Sequence, residues 1–205
     1  MQLGLRSNST LSLQLLHRVI EMKKIVKIGA ITITALVMVG CSTTNSIPYK
    51  ASTNNVITIQ NTLKASNTKV TLGTFSMASG VTEELTCRLM GPVIVSPGKT
   101  MSTFIKEAFQ EELFMAQAYD TNAPVKIDGK IEKISFSSVS PANWEISMRV
   151  SSNRSPGYSV AVKYNYGTSF DAYSACRNVA DAFSPAVQEL LRQVVSDPQF
   201  NQLVK

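Results

Sequence analysis

Apolar and polar positions alternate or recur along the chain in ways that predict most of its secondary structure. Residues 69–75 alternate with a period of two, with Val70 and Leu72 on one face, and predict a strand. Residues 56–63 alternate only weakly, and they predict either a short strand or part of a tether that precedes the domain. Residues 76–99 show no period, and a loop of this length is uncommon in a compact domain unless it is functional or pinned.

A helix is predicted to follow this loop, because apolar residues then recur at helical spacing. Thr100 or Ser102 can cap its N-terminus, and the apolar stripe continues to about Ala118. Glu112 falls in the middle of that stripe. A carboxylate in such a position has to be paired, protonated or close to the edge of the core.

Three strands are predicted next, at residues 125–136, 144–150 and 158–166, because β-branched and aromatic residues alternate there with polar ones. The alternation slips by one residue in the first of these strands, which predicts a bulge near Glu132–Lys133. Proline, glycine and asparagine occupy the connections. Short connections of this kind favour antiparallel pairing of the three strands.

A second amphipathic segment lies near the end of the sequence. Asp171 can cap it, Ser184-Pro185 interrupts it as a kink or as a new cap, and Asp197-Pro198 stops it. The order of elements is then strand, loop, helix, three strands and helix. This order predicts the α+β class, as a two-layer sandwich in which an antiparallel sheet of about four strands carries two helices on one face.

The N-terminal region has the organisation of an export signal. Three lysines closely follow Met22, and the apolar run 28–39 comes after them. This run is too short to cross a bilayer comfortably, which takes about 20 apolar residues. We therefore interpret residues 22–40 as a signal peptide, and residues 1–21 as an extension that is either not translated or dispensable.

The sequence Met38-Val39-Gly40-Cys41 resembles the lipobox of bacterial lipoproteins. The resemblance implies that Cys41 receives a diacylglycerol, that the chain is cut before it, and that its amino group then takes an acyl chain such as palmitate. In enteric-type bacteria an aspartate after the cysteine resembles an inner-membrane retention signal, and Ser42 stands there instead. The resemblance thus implies an anchor in the cell outer membrane, with the domain facing the periplasm. The alternative is a secretory signal with a chance cysteine.

Cleavage before Cys41 would change the charge of the chain. The whole sequence carries a net charge of +6, whereas 15 Lys and Arg against 13 Asp and Glu from Cys41 onward leave +2. No basic stripe interleaved with aromatic residues remains, so nothing indicates a nucleic-acid partner. Residues 41–55 are rich in Thr, Ser and Asn and predict a flexible tether. Residues 56–205 predict a single periplasmic domain.

Cys87 and Cys176 are the two cysteines within the predicted domain. In an oxidising compartment an even pair predicts one structural disulfide, and the alternative is two free buried thiols. The single histidine, His17, precedes the predicted cleavage, so His-dependent catalysis and a zinc site are not expected. No phosphate-binding loop, dinucleotide motif or nucleophile elbow is present. We expect no catalytic residue, no metal and no cofactor.

Two interpretations of Glu112 stay open at this stage. The first is a salt bridge, with Arg88 or Arg177 as the candidate partner, or a position at the edge of the core. The second is a contact with a ligand in a cleft. Glu112 is therefore the candidate ligand-binding residue of the chain.

Aromatic and hydroxyl side chains of the three predicted strands also have two interpretations each. Trp144, Tyr158, Tyr164 and Tyr166 can form a core face under the helices or an exposed interaction surface. The serines of these strands can form an ordinary solvated face or a wet docking surface; they are Ser135, Ser137, Ser138, Ser140, Ser147 and Ser151.

The order of elements is similar to that of small envelope lipoproteins that accompany outer-membrane assembly or lipid-transport machines, such as the lipopolysaccharide-assembly lipoprotein. This similarity is one of topology and carries no site residue. It implies a non-enzymatic accessory or scaffold subunit of a cell-envelope assembly or transport complex, with an envelope protein as partner. The alternatives are a periplasmic lipoprotein that binds a lipid or small ligand and, third, a hydrolase with a Ser, Lys and Asp site.

Overall fold

The structure is a computed structural model that describes residues 43–44, 47–64 and 68–205. The predicted extension, the signal peptide and the lipobox with Cys41 lie outside these described residues. The strands are β1 (Thr43–Thr44), β2 (Val70–Met77), β3 (Val93–Ile94), β4 (Val125–Ser137), β5 (Asn143–Ser152) and β6 (Tyr158–Asn165). The helices are α1 (Thr53–Lys64), α2 (Met101–Met115), α3 (Ala172–Asp181), α4 (Phe183–Ser196) and α5 (Phe200–Leu203).

The main sheet has four strands in the order β2-β4-β5-β6, and the small sheet pairs β1 with β3 in parallel. β4, β5 and β6 pair antiparallel through short connections, as expected. β2 pairs with β4 in parallel, so the prediction of a purely antiparallel sheet is wrong. The reason is the connection from β2 to β4, which carries α2 and returns the chain to the end of the sheet where β2 began.

The predicted bulge in β4 is confirmed. The register with β5 shifts between Ile131 and Lys133, so that the alternation changes phase at Glu132. A second shift lies between Leu72 and Phe75 in the pairing of β2 with β4. The bulges let both strands keep their apolar residues on one face of the sheet.

Residues 56–63 form neither a short strand nor part of a tether, so both predictions are wrong, because these residues lie within α1. Ile59 and Leu63 are buried one turn apart, which is the spacing of a helix face. Several β-branched residues along this segment favoured a strand from sequence, and tertiary packing overrides that preference. α1 begins at Thr53, so the folded domain begins before the predicted end of the tether at residue 55.

The helix predicted after the long loop is α2. Thr100 is its N-cap, and its side chain accepts a hydrogen bond from the Thr103 N–H at 3.2 Å. The helix ends at Met115, three residues before the predicted end at Ala118, and Gln117 then adopts a φ of 59°.

The last predicted helix is in fact two helices followed by a short third one. Asp171 caps α3 by accepting from the Ser174 N–H at 2.7 Å. The chain breaks at Ala182 rather than at Ser184-Pro185, and Pro185 lies in the first turn of α4, where a missing N–H costs nothing. α4 ends before Asp197, as predicted. Residues 47–64 and 68–205 therefore form five helices where two were expected.

The core lies between the helices and one face of the main sheet. α2 contacts β2, and α4 contacts β5 and β6. Trp144 of β5 is fully buried, meets the Phe183 ring edge to face with 5.0 Å between ring centroids, and donates its indole N–H to the Val179 carbonyl at 2.9 Å. The alternate residues of β4, β5 and β6 are exposed or half-buried. The other face of the sheet is therefore open to solvent.

The strand directions give the domain two distinct ends. β2, β4 and β6 run the same way, so the connections that follow them leave from one end of the sheet. The connection after α2 and the β5–β6 turn lie at the other end. β4 has 13 residues, which separates the two ends by about 40 Å at 3.3 Å per residue. None of the helices in the described part of the chain is long and apolar enough to span a membrane.

The β5–β6 turn depends on a glycine, which gives a first prediction. Gly157 has a φ of 72°, and a Cβ at this position would lie 1.7 Å from the Val150 carbonyl oxygen. We expect Gly157→Ala to lower the free energy of unfolding by at least about 1–3 kcal/mol, from strain alone. Gly167→Ala is the matched control, because a Cβ there meets no atom within 4 Å. Urea denaturation measures both, and equal stability of the two variants would contradict the prediction.

Candidate functional site

Glu112 is fully buried on α2, against the chain segment that leads into α1. Its Oε1 accepts hydrogen bonds from the Tyr49 hydroxyl at 2.7 Å and from the Ser52 N–H at 3.2 Å. The Asn55 amide donates to both carboxylate oxygens, at 2.9 and 3.1 Å. We call Glu112, Tyr49, Ser52 and Asn55 the Glu112 cluster.

Further hydrogen bonds fasten the same segment to the helices. The Ala51 N–H donates to Glu111 Oε1 at 3.2 Å. Gln188 of α4 donates its side-chain amide to the Lys50 carbonyl at 2.5 Å, and the Asn55 amide also donates to the Gln188 carbonyl at 3.0 Å. Residues 49–55 were predicted to belong to a flexible tether, and these bonds hold them against α2 and α4.

The Glu112 carboxylate has no cation as a partner among the described residues. Arg177 pairs with Asp181 at 3.6 Å, and Arg88 donates to other groups, so neither predicted salt bridge forms. Burial raises the pKa of Glu112, and the hydrogen bonds from the cluster oppose that rise without cancelling it. The pKa of the Tyr49 hydroxyl is raised as well, first by burial and then by the Glu112 charge, which keeps that hydroxyl protonated as a donor.

The interpretation of Glu112 as a ligand contact gains no support from this geometry. A groove of about 370 Å³ lies nearby, with Ile47, Tyr49, Phe104 and Glu111 among its lining residues. Glu112 itself does not line the groove, and both of its oxygens already accept hydrogen bonds from the protein. The Glu112 cluster holds residues 49–55 against α2 through hydrogen bonds.

The long loop after β2 is joined to α3 by a disulfide. Cys87 and Cys176, the two cysteines that the sequence predicts to pair, are bonded and fully buried, with 5.7 Å between their Cα atoms. Arg88 and Leu89 follow at φ values of 44° and 60°, in the left-handed region that costs energy for residues with a Cβ. The turn after the disulfide thus presents these two side chains in a strained conformation.

Arg88 ties this turn to the two neighbouring connections. Its Nε donates to the Ser138 hydroxyl at 3.0 Å, and a guanidinium NH2 group donates to the Ser138 carbonyl. The other NH2 group donates to the carbonyls of Ser169 and Phe170, at 3.2 and 3.1 Å. One arginine therefore joins the β2–α2, β4–β5 and β6–α3 connections at one end of the sheet. Sequence reasoning did not single out this role, because backbone carbonyl partners leave no sequence signal.

Four large apolar side chains are exposed near these contacts, and we call them the apolar rim: Leu89, Val139 and Phe170 on the three connections, and Tyr173 in the first turn of α3. Leu89 is 98 % exposed, and Phe170 is fully exposed. A groove of about 450 Å³ lies beside Arg88, with Val139 and Phe170 in its lining. Exposed apolar side chains that are grouped at one end of a domain mark an interaction site more often than a single scattered apolar residue does.

The open face of the main sheet is rich in cations and hydroxyls. Its cations are Lys126, Lys130, Lys133, Arg149 and Lys163, all exposed, and its acids are Asp128, Glu145 and the exposed bulge residue Glu132. Glu145 pairs with Lys133 at 2.6 Å and with Lys163 at 3.0 Å, and these lysines lower the pKa of its exposed carboxyl. Lys130 lies directly opposite Arg149 in the β4–β5 register. Within the described residues, neither of those two cations has a carboxylate in salt-bridge range.

The aromatic residues of the strands belong mainly to the core. Trp144 and Tyr158 are buried, and Tyr164 and Tyr166 are half-buried against the core. Burial raises the pKa of Tyr158, whose hydroxyl donates to the Val194 carbonyl at 2.6 Å. The interpretation of these aromatic residues as part of the core is therefore correct for Trp144 and Tyr158. The serines divide between half-buried positions and the exposed Ser140.

Comparisons with known proteins leave the chain without a family. No family model matches it, and no curated protein matches it. Among solved structures, it is similar to the crystal structure of protein XCC0632 from Xanthomonas campestris, which is assigned to the family model DUF330. That match has a TM-score of 0.39 and 9 % identity, and covers 62 % of this chain and 83 % of the other. Among the described residues, no group of His, Cys, Asp and Glu could hold a metal ion.

The raised pKa of Glu112 gives a second prediction. As the pH rises above 4.5, the unfolded chain loses this proton before the folded chain does, so the wild-type protein loses stability until its folded-state pKa is passed. Glu112→Gln removes this titration. We compare the unfolding free energy of the wild-type protein with that of Glu112→Gln. Between pH 4.5 and the folded-state pKa of Glu112, we expect the wild-type value minus the variant value to decrease as the pH rises, by at most about 1.4 kcal/mol per pH unit.

Urea unfolding from acid to neutral pH measures that difference. Glu111→Gln is the control, because it removes one carboxylate from the exposed neighbouring position on the same helix. A difference between wild type and Glu112→Gln that grows with pH would show that the cluster favours the ionised carboxylate, against the prediction.

Proposed function

We propose that this protein is a lipoprotein of the bacterial cell envelope, anchored through Cys41 in the outer membrane with its domain facing the periplasm. The lipobox at residues 38–41 supports the anchor, and Ser42 supports sorting to the outer membrane. The disulfide between Cys87 and Cys176 is consistent with an oxidising compartment such as the periplasm. Two acyl attachments hold a protein stably on a membrane, where a single chain is marginal.

The domain acts in this proposal as a non-enzymatic accessory or scaffold subunit of a cell-envelope assembly or transport complex. The sequence supports a role without catalysis, since it contains no catalytic motif and no histidine after residue 17. The packing supports a rigid scaffold: Trp144, Phe109 and Phe183 are completely buried in the layer between helices and sheet.

The observation that carries the proposal is the open, cationic face of the main sheet. Like charges directly opposite each other on neighbouring strands destabilise a sheet, and Lys130 faces Arg149 in this way. A partner protein with an acidic surface would relieve that repulsion, and complementary charge also speeds association. The hydroxyls of Ser147, Ser151 and Ser159 lie between these cations and can add hydrogen bonds to the partner.

A second candidate function is the binding of a lipid or another small ligand. The groove of about 450 Å³ beside Arg88 favours it, because this volume lies within the usual range of ligand sites of about 300–1,000 Å³. Val139 and Phe170 would contact apolar parts of such a ligand. Mass spectrometry of small molecules that co-purify with the protein distinguishes this candidate from the scaffold.

Lipid anchoring predicts the mass of the mature protein. We expect protein extracted from membranes with detergent to begin at Cys41 and to carry the added mass of a diacylglycerol and an acyl chain. Intact-mass spectrometry checks this, and Cys41→Ser is the control that should lose both the cleavage and the lipid. A wild-type mass that begins at Met1 or Met22 without lipid would contradict the anchor.

The scaffold role predicts a specific envelope protein on the sheet face. We expect crosslinking in living cells, followed by affinity capture, to recover one stoichiometric envelope protein with the wild-type chain. The double variant Lys130→Glu/Arg149→Glu should lose most of that recovery, because it changes the net charge of this face from positive to negative.

The matched control is Lys50→Glu/Lys106→Glu, which makes the same change in net charge away from the open sheet face. Equal recovery by the two double variants would show that the partner does not use this face. Recovery of no partner by the wild-type chain would remove the support for a scaffold and favour the ligand-binding candidate.

A further inference from the structure

We propose that the apolar rim is the surface by which the domain sits on its own membrane, with Leu89, Val139, Phe170 and Tyr173 in contact with the lipid interface. This inference rests on the proposed lipid anchor at Cys41. It assigns an orientation to the domain: the rim end lies on the bilayer, and the opposite end of the sheet points away from it.

The position of β1 carries the first step of the argument. Thr43 pairs with Val93 and Thr44 with Ile94, so β1 is fixed beside β3, and it also contacts α3. Cys41 precedes Thr43 by two residues and so lies within about 7 Å of it. A lipid on Cys41 therefore brings the bilayer surface close to β3 and α3.

The direction of β1 carries the second step. The pairing with β3 is parallel, so Thr43 and Val93, the first residues of the two strands, lie at the same end of the small sheet. The turn at residues 86–92 comes directly before Val93, and the bridge between Thr86 and Pro92 closes it. Leu89 stands in this turn and is exposed.

The rest of the rim is joined to this turn by the contacts described above. Tyr173 lies one helical turn before Cys176, which is bonded to Cys87. Phe170 accepts a hydrogen bond from Arg88 through its carbonyl, and Val139 follows Ser138, which Arg88 also contacts. Thr43, the second residue after the proposed anchor, and all four rim side chains therefore lie at the same end of the domain.

A lipid interface is the occupant that fits these side chains. Leucine, valine and phenylalanine gain free energy on leaving water, and a tyrosine favours the level of the headgroups. Such side chains reach about 5–10 Å into the boundary between headgroups and acyl chains. The proposed anchor keeps the rim at a high effective concentration next to the bilayer, so that even a small apolar area is enough for binding.

The test uses tryptophan as a depth probe in the full chain. The lipidated protein is purified from membranes and reconstituted into vesicles of phosphatidylethanolamine and phosphatidylglycerol, with or without brominated acyl chains. The reporters are Leu89→Trp and Phe170→Trp, which lie on different connections of the rim. The wild-type chain gives the background from the buried Trp144.

Phe114→Trp is the matched control. Phe114 is an exposed apolar residue at the C-terminal end of α2, where the chain approaches the start of β4. That end of the sheet is about 40 Å from the rim. We expect brominated lipid to quench most of the added fluorescence of both rim reporters and to leave that of Phe114→Trp unchanged.

Each other outcome overturns a defined part of the argument. Intact mass is measured first on the same samples. If the lipid is present at Cys41 and the rim reporters are quenched no more than Phe114→Trp, the rim inference is wrong and the anchor stands. If the protein carries no lipid, the proposal of lipidation at Cys41 is wrong, and the proposed orientation of the domain on the bilayer is refuted as well. Quenching of Leu89→Trp alone would refute a rim made of three connections.

Discussion

The shared direction of β2, β4 and β6 is the constraint on which the rest of this structure depends. Because β2 runs parallel to β4, the chain has to cross the domain on α2 before β4 can begin. The connections that follow all three strands therefore leave from the same end of the sheet. That single end collects the disulfide, the Arg88 hydrogen bonds and the apolar rim, while the helices cover one face of the sheet and leave the cationic face in water.

Glu112 shows how the domain holds residues 49–55 against α2. A buried carboxylate without a cation is costly, and the partners of Glu112 among residues 47–64 and 68–205 are neutral donors from Tyr49, Ser52 and Asn55. Loss of the carboxylate would leave those donors buried and unpaired, which is also costly. The cluster therefore commits the N-terminal segment to one path along α2, with a stability that depends on pH.

Elements with strong local signals could be predicted from the sequence: the bulge at Glu132, the caps at Thr100 and Asp171, and the pairing of Cys87 with Cys176. Features that depend on distant contacts could not. α1 carries β-branched residues and becomes a helix only because its buried face packs against other helices. The parallel pairing of β2 leaves no local pattern. Glu112 was correctly singled out as exceptional, but its partners are a tyrosine, an amide and a backbone N–H rather than an arginine.

The brevity of β1 has a consequence for how the domain would respond to a pull on its N-terminal side. Thr43 and Thr44 are held to β3 by a pairing of two residues only. Further along the chain, Tyr49, Ser52 and Asn55 are held by Glu112 in a buried cluster. A pull from the N-terminal side would therefore meet the short β1–β3 pairing first and the Glu112 cluster second. The pairing could open and close again while α1, α2 and the main sheet stay folded.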